Sequence, residues 1–182
     1  MPDQEDLQID VAIILGSDSD LPVMAKAVEV LEKFEISHEV KVLSAHRTPD
    51  LLREYLGALS RRETKVIIAA AGKAAHLAGN IAAATTLPVI GVPMDGGLGG
   101  LDALLSTVQM PGGIPVLTVA VGKAGATNAA LAAAQILALQ NRELAQALDA
   151  YRRDMVKDIV EKNAELQRLG VKEYVRAKTA HG

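Results

Sequence analysis

The stretch IDVAIILGSDSDLP, residues 9–22, decides the fold of this chain. It opens with a short apolar run rich in β-branched residues, Ile9–Leu15, and a polar loop follows from Gly16. A run that is continuously rather than alternately apolar is typical of a strand buried on both faces of a sheet. Pro22 suits the first turn of a helix. The stretch therefore predicts a buried strand, a loop and a helix, in that order.

The same alternation of strand and helix continues to residue 139. Further strands are predicted at residues 40–43, 66–70, 88–92 and 114–121, and helices at residues 22–34, 49–59, 74–86, 101–107 and 124–139. Strands that alternate with helices form a parallel sheet whose right-handed crossovers cover both faces. The predicted fold class is therefore α/β, in three layers. In such folds, ligands bind at the carboxyl ends of the strands.

The last forty or so residues follow a different pattern, because the strands stop at residue 141. One helical stripe is apolar and consists of Leu144, Leu148, Tyr151, Met155 and Ile159. Gly170 predicts the end of this helix, and a shorter helix is expected at 171–180. We predict a catalytic domain at 1–140 and a helical tail at 141–182. The stripe packs either on its own domain or on a neighbouring subunit, and the pattern favours neither.

The composition is apolar but poor in large side chains. Hydrophobic residues make up 49% of the chain, with 30 Ala and 15 Gly against one Phe, three Tyr and no Trp. A core built from Ala and Gly lets elements approach closely but buries little area per residue. We therefore expect further burial between subunits, in a homo-oligomer.

Charge and residue types narrow the classes of partner. The net charge is −3, and neither a basic stripe nor a cluster of stacking aromatics is present, so no nucleic-acid partner is expected. The absence of cysteine excludes disulfides and thiolate chemistry. No apolar run approaches the roughly 20 residues that span a bilayer, and the acidic start does not resemble a signal peptide. We expect a cytoplasmic protein with no membrane partner.

The first strand-end loop, residues 16–22, has the features of a phosphate site. Ser17 and Ser19 supply hydroxyls, and the free backbone N–H groups and the dipole of the following helix attract an anion. Asp20 suits the hydroxyls of a ribose better than the phosphate itself. The alternative is ordinary helix capping by Ser19 or Asp20.

The second strand-end loop, residues 44–49, places a histidine beside an arginine after Ser44 and Ala45. Arg47 can bind an oxyanion through two hydrogen bonds. His46 is the residue type best suited to proton transfer near neutral pH. A surface or packing role is the alternative for such a histidine, but its position at a strand end favours chemistry.

The third and fourth strand-end loops are built from small residues. In the third, Gly72 and Ala74 let the backbone approach a flat ligand, and Leu77 closes the stretch. His76 is interpreted as a histidine that fixes this loop, in preference to a catalytic one. The fourth loop runs from Pro93 to Gly100, and its glycines suit either a lid or a tight wall.

Other chemical motifs are missing from the sequence. There is no G-x-x-x-x-G-K-[ST] loop, no G-x-G-x-x-G after the first strand and no G-x-S-x-G elbow. The four histidines show no metal-ligand spacing, so neither a metal nor another cofactor is expected. The residues alone predict a protein that binds a small phosphorylated metabolite and uses one histidine as its proton carrier.

Several motifs together are similar to those of one enzyme family. They occur in one order and spacing as GSDSD at 16–20, SAHRTP at 44–49, AAHL at 74–77, STVQMPGG at 106–113, GKAGA at 122–126 and NAA at 128–130. Over about residues 9–140 the chain closely resembles the N5-carboxyaminoimidazole ribonucleotide mutases of purine biosynthesis. The resemblance implies a flavodoxin-like domain, assembled into an octamer, that acts without ATP, metal or biotin.

The resemblance also implies roles for the loop residues. Ser17, Asp20 and Arg47 would bind the ribonucleotide, and His46 would be the general acid–base. The remaining binding positions would be Ser19, Ser44, Ala45, Gly72, Ala74, His76 and Leu77, of which those at 72–77 hold the imidazole and the carboxylate or CO₂. The reaction implied moves a carboxyl group from the exocyclic nitrogen of the ribonucleotide to ring carbon C4.

The chain departs from the family pattern at three places, and two alternative functions stay open. Lys73 stands where glycine is common, Ala78 where proline is common, and residues 95–100 are richer in glycine than usual. One alternative is the related aminoimidazole ribonucleotide carboxylase that uses CO₂ directly, although the AAHL motif favours the mutase. The other is a ribonucleotide-binding module without catalysis, which would have no need of His46.

Overall fold

The computed structural model describes residues 8–179 of the chain. Among them, the residues up to Gln140 and the residues from Asn141 form two compact units. The last predicted helix, at 171–180, extends one residue beyond the described residues. Within residues 8–179, no helix is both long and apolar enough to cross a membrane.

The first unit is a five-stranded parallel sheet in the order β2-β1-β3-β4-β5, which is the flavodoxin-like order. Its strands are β1 Val11–Leu15, β2 His38–Val42, β3 Val66–Gly72, β4 Val89–Met94 and β5 Leu117–Thr118. Its helices are α1 Leu21–Lys33, α2 Pro49–Arg61, α3 Leu77–Ala84, α4 Leu101–Val108 and α5 Gly122–Ala138. The α/β prediction and the flavodoxin-like topology are confirmed.

Both faces of the sheet are covered, as the continuous apolar strands predict. Every residue of β1 and β4 is buried, as are the first five of β3. Since successive side chains of a strand point to opposite faces, Ala12 and Ile14 share one face, and they join the core cluster that includes residues of α2 and α3. On the other side α1 packs against α5, which also contacts β3 and β4.

Most elements shift by one or two residues at an end, and two differ from their predicted bounds by more than that. The strand expected at 114–121 contributes only Leu117 and Thr118 to the ladder, because it is an edge strand that begins after Pro115, and proline has no N–H to donate. The helix expected at 74–86 begins only at Leu77. Its first residues instead form a loop at the end of β3, and this leaves them free to line a binding cleft.

The second unit consists of α6, Arg142–Leu169, and α7, Val171–Thr179. The side chain of Asn141 caps α6 by accepting a hydrogen bond from the N–H of Leu144 at 3.0 Å. Gly170 ends the helix with a positive φ of 73°, as the sequence predicts. An apolar patch on α6, defined by Met155, Val156, Ile159 and Val160, is more than half exposed in the single chain.

Candidate active site

A cleft of about 660 Å³ opens at the carboxyl edge of the sheet. Four loops line it, and each follows one of the strands β1 to β4. In the order β2-β1-β3-β4-β5 the crossovers after β1 and β3 leave in opposite directions, so the chain separates at this edge and leaves a crevice. The volume lies within the range usual for small-molecule sites.

The structure brings all of the predicted binding residues together in this cleft. The cleft is lined by Ser17, Ser19, Asp20, Ser44, Ala45, His46, Arg47, Gly72, Ala74, His76 and Leu77. It is also lined by residues that received no role from the sequence, namely Gly16, Ala71, Lys73, Met94, Asp95 and Gly96. Met94 ends β4 and Asp95 follows it, at the start of the fourth strand-end loop, to which the sequence assigned no individual binding residue.

The first loop folds into a single 3₁₀ turn, Asp18–Asp20, between β1 and α1. The hydroxyl of Ser17 caps this turn by accepting hydrogen bonds from the N–H of Ser19 at 3.3 Å and from its hydroxyl at 2.9 Å. The prediction that Ser19 or Asp20 is the N-cap residue of α1 is confirmed for the position of Asp20. Asp20 holds the N-cap position with helical backbone angles and makes no capping hydrogen bond, so its carboxylate is left for the cleft.

Partial burial in the cleft raises the pKa of Asp20 above its ordinary value of 3.8. The hydrogen bond from Ser19 opposes this shift, and the negative charge of Asp18 adds to it. A raised pKa means that the ionised carboxylate is less favourable in the folded than in the unfolded chain. At neutral pH, Asp20 therefore lowers the stability of the fold.

We expect Asp20→Asn to raise the melting temperature at pH 7. The amide is never charged, so it avoids the penalty of a partly buried carboxylate. As the pH falls through the titration range of Asp20, the wild-type carboxyl becomes neutral and the difference in melting temperature disappears. Thermal unfolding at neutral and acidic pH checks this, and a gain that is the same at both pH values contradicts it.

The second loop is held rigid by its own hydrogen bonds. The hydroxyl of Ser44 accepts from the N–H groups of His46 at 3.3 Å and Arg47 at 3.2 Å. Thr48 stands at the N-cap of α2, as predicted, but its hydroxyl bonds to the N–H and C=O of Ser44 instead of the helix. The Arg47 guanidinium donates to the carbonyl of Gly16 at 2.8 Å, which brings it to the first loop.

His46 has a direct partner in the third loop. Its Nε2 lies 2.9 Å from Nδ1 of His76, and the two rings meet edge to face at 90°. At this distance one proton lies between the two nitrogens, so one ring donates and the other accepts. Within the described residues, Nδ1 of His46 has no hydrogen-bond partner, which leaves that nitrogen available to a ligand.

The third loop positions His76 from both sides. The N–H of His76 donates to the carbonyl of Ala74 at 2.9 Å, and the side chain of Asn80 donates to the carbonyl of His76 at 2.8 Å. The sequence interpretation of His76 as a loop-fixing residue missed its bond to His46. No spacing rule could have found that bond, because it joins loops thirty residues apart.

The fourth loop reaches the cleft only at its start, through Asp95 and Gly96. Gly99 and Gly100 have positive φ angles of 63° and 78°, which suit glycine and lead the chain into α4. Among residues 8–179, no group of three or more His, Asp or Glu side chains is placed to hold a metal ion.

Comparison with known proteins matches residues 10–158 to the AIR carboxylase family model. The match covers the whole sheet, the four cleft loops and the first part of α6. The chain belongs to the AIR carboxylase family. The resemblance predicted from the loop motifs is therefore confirmed.

Three similar curated proteins share one name. The chain is 50% identical over 169 residues to the N5-carboxyaminoimidazole ribonucleotide mutase of Thermotoga maritima, which covers 92% of this chain and 98% of the relative. The protein of the same name from Pyrococcus abyssi is 54% identical over 166 residues, which cover 91% of this chain and 94% of the relative. The one from Bacillus subtilis is 52% identical over 157 residues, which cover 86% of this chain and 97% of the relative.

Solved structures show the same family fold. The crystal structure of Treponema denticola PurE is similar with a TM-score of 0.77 and 28% identity, covering 86% of this chain and 97% of that one. The agreement over nearly the whole of that chain confirms the three-layer architecture. The cleft therefore belongs to a fold shared by the family.

Proposed function

We propose that this protein is an N5-carboxyaminoimidazole ribonucleotide mutase of purine biosynthesis. The names of its relatives at 50–54% identity support the reaction. The single observation that carries the proposal is the cleft, where the predicted proton carrier His46, the serine loop and the small-residue loop line one cavity. A carboxyl transfer on a phosphorylated substrate needs a titratable group, donors that bind the anion and a wall of small residues, and the cleft combines the three.

The phosphate and ribose are assigned to the first loop. Ser17, Ser19 and the guanidinium of Arg47 surround the start of α1, where N–H groups and the helix dipole favour an anion. The Asp20 carboxylate, which makes no capping bond, accepts hydrogen bonds from ribose hydroxyls. The proposal therefore places the 5′-phosphate beside β1 and extends the imidazole toward β3.

His46 both donates and accepts the proton that the reaction moves. The bond between the carboxyl carbon and the exocyclic nitrogen breaks, its electron pair stays on nitrogen, and His46 supplies the proton that nitrogen takes up. Ring carbon C4 then attacks the released CO₂ and forms the new carbon–carbon bond. The proton lost from C4 returns to His46, so no external acid or base is consumed.

His76 positions His46 for both steps. The 2.9 Å bond between Nε2 of His46 and Nδ1 of His76 fixes the ring orientation and leaves Nδ1 of His46 toward the ligand. A second residue that orients the acid–base ring is a common arrangement in proton-transfer sites.

The released CO₂ must stay beside C4 rather than diffuse away. Gly72, Ala74 and Leu77 line the cleft and bring no polar side chain to it, and the proposal assigns this wall to keep water from the released CO₂. Holding two reactants in contact raises their effective concentration far above what is reached in solution. The small residues of the third loop are therefore assigned to retain CO₂ and to flank the imidazole.

A carboxylase that takes CO₂ directly is the second candidate, because the matching family model carries the description AIR carboxylase. The test is to incubate the purified protein with each ribonucleotide, with and without bicarbonate. Rapid, bicarbonate-independent conversion of the N-carboxylated substrate supports the mutase. Turnover that requires aminoimidazole ribonucleotide and CO₂ supports the carboxylase, and tight binding without turnover supports a binding module.

We expect Arg47→Ala to weaken binding of the ribonucleotide roughly 10- to 100-fold. A charge-assisted hydrogen bond to phosphate contributes about 1.5–3 kcal/mol. Calorimetry with the ligand and with its 5′-dephosphorylated form checks the assignment. Dephosphorylation should cost the wild type much more than it costs Arg47→Ala. An equal cost in both proteins means that Arg47 does not contact the phosphate.

We also propose that the chain assembles as a homo-octamer in which a neighbouring copy covers the tail. The exposed patch Met155, Val156, Ile159 and Val160 supports a partner for α6. On α4, Leu101, Leu105 and Val108 form a second exposed apolar stripe. The occupant proposed for both surfaces is a second copy of this chain, as in closed symmetric oligomers.

We expect light scattering at micromolar concentration to give a mass about eight times the 19.1 kDa of one chain. Obligate interfaces are large and apolar, so dilution should not dissociate them. A mass near that of one chain refutes the assembly, and a tetramer refutes the octamer alone. Truncation after Leu139 should lower the number of subunits in the assembly. If the truncated chain still forms an octamer, the tail is only a surface cover.

A further inference from the structure

Lys73 has a backbone conformation that lysine rarely adopts. Three non-glycine residues among those described have positive φ angles: Glu35 at 54°, Glu63 at 53° and Lys73 at 56°. Glu35 and Glu63 lie just past the ends of α1 and α2, where a left-handed residue routinely terminates a helix. Lys73 instead follows strand β3, so helix termination does not explain it.

The conformation of Lys73 places its side chain on the cleft. Lys73 lines the cavity, and its Cγ lies 4.0 Å from the position that a Cβ on Gly96 would occupy. Within the part of the chain that the structure describes, its ammonium group makes no hydrogen bond or ion pair. Uncommon backbone angles are retained mainly where a functional site requires them.

Two cationic side chains line the cleft, and they belong to different loops. Arg47 reaches over the end of β1, where its guanidinium bonds to the carbonyl of Gly16 at 2.8 Å. Lys73 directly follows β3, and its Cγ lies near Gly96, which follows β4. Arg47 lies in the loop after β2 and Lys73 in the loop after β3, and β1 lies between these two strands in the sheet order β2-β1-β3-β4. The arrangement matches a ligand with two separate anionic groups.

We propose that Lys73 binds the carboxylate of the carboxylated imidazole ribonucleotide, while Arg47 binds its phosphate. The proposal rests on the proposed function and deepens it, because it makes Lys73 the residue that distinguishes the carboxylated from the decarboxylated nucleotide. A lysine ammonium is a compact point charge with three donors, which suits a carboxylate that moves between two atoms of the ligand. Phosphate is assigned elsewhere because the hydroxyl-rich loop lies at β1.

The test compares two ligands that differ only in the carboxylate. Calorimetry measures the dissociation constants of 4-carboxy-5-aminoimidazole ribonucleotide and of aminoimidazole ribonucleotide for wild type, Lys73→Met and Lys73→Arg. Lys73→Met keeps the length of the stem and removes the charge, so we expect roughly tenfold weaker binding of the carboxylated ligand and unchanged binding of the other. Lys73→Arg, which keeps the charge, should bind both ligands nearly as the wild type does.

Two controls separate charge from loop conformation. Lys73→Gly suits the positive φ and removes the charge, so it should lose the same selectivity as Lys73→Met. Lys65→Met removes an exposed lysine outside the cleft and should change neither constant. If Lys73→Met weakens the binding of both ligands equally, or changes the binding of neither, the role of Lys73 is overturned and the mutase proposal stays intact. A wild type that binds neither ribonucleotide overturns both proposals.

Discussion

Replacing His46 by Asn is expected to lower turnover by about 10²–10⁴-fold and to leave ribonucleotide affinity near that of the wild type. The loss is large because, in the proposed mechanism, both the proton given to nitrogen and the proton taken from C4 pass through this ring. Affinity is retained because the proposal assigns the phosphate and ribose contacts to other residues, namely Ser17, Asp20 and Arg47. Single-turnover kinetics and calorimetry measure the two effects separately.

His38→Asn is the matched control for this prediction. His38 begins β2, and its Nδ1 lies 2.8 Å from the carbonyl oxygen of Ile36. It does not line the cleft, so the same substitution there should leave turnover close to the wild-type value. Near-normal turnover in His46→Asn, or an equal loss in the two variants, would remove His46 from the mechanism.

The fold was predictable because the sequence repeats one simple physical pattern. Continuous apolar strands such as Val66–Gly72 need cover on both faces, and the intervening helices provide it through right-handed crossovers. The edge strand at 117–118 was harder to predict. Its apolar run reads as an eight-residue strand, but only Leu117 and Thr118 pair with β4, and the N–H of Val119 adds one hydrogen bond to the carbonyl of Gly91.

The cleft was predictable to the extent that it depends on strand ends. Asp20, His46 and His76 each follow a strand, so the rule for parallel sheets brings them together without any knowledge of distances. The bond between His46 and His76 and the left-handed backbone at Lys73 are different. They depend on how two loops meet and on backbone angles, and neither leaves a periodic signal in the sequence.

A second large effect is expected at Gly125, within the GKAGA motif at residues 122–126. Gly125 is buried in the first turns of α5, where the helix approaches the chain that leads out of β5. A Cβ at this position would lie 1.7 Å from the carbonyl oxygen of Ala120 and 2.7 Å from its carbonyl carbon. Both atoms belong to the backbone, so no side-chain rotation can relieve the overlap.

We therefore expect Gly125→Ala to lower the free energy of unfolding by about 3 kcal/mol or more, at the upper end of overpacking effects. Either α5 must move away from β3 and β4, which it contacts, or the segment at Ala120 must be displaced. Both movements disturb the layer that supports the carboxyl edge of the sheet. Chemical denaturation followed by circular dichroism measures the change.

Gly57→Ala makes the same chemical change with the opposite expected sign. Gly57 lies within α2, is exposed, and has no atom within 4 Å of the position that its Cβ would take. Alanine there reduces the entropy lost on helix formation and should stabilise the protein by about 0.5–1 kcal/mol. Because the two variants differ only in what the new methyl group meets, their opposite signs isolate the close approach of α5 to Ala120. A neutral Gly125→Ala would mean that this approach is not required by the fold.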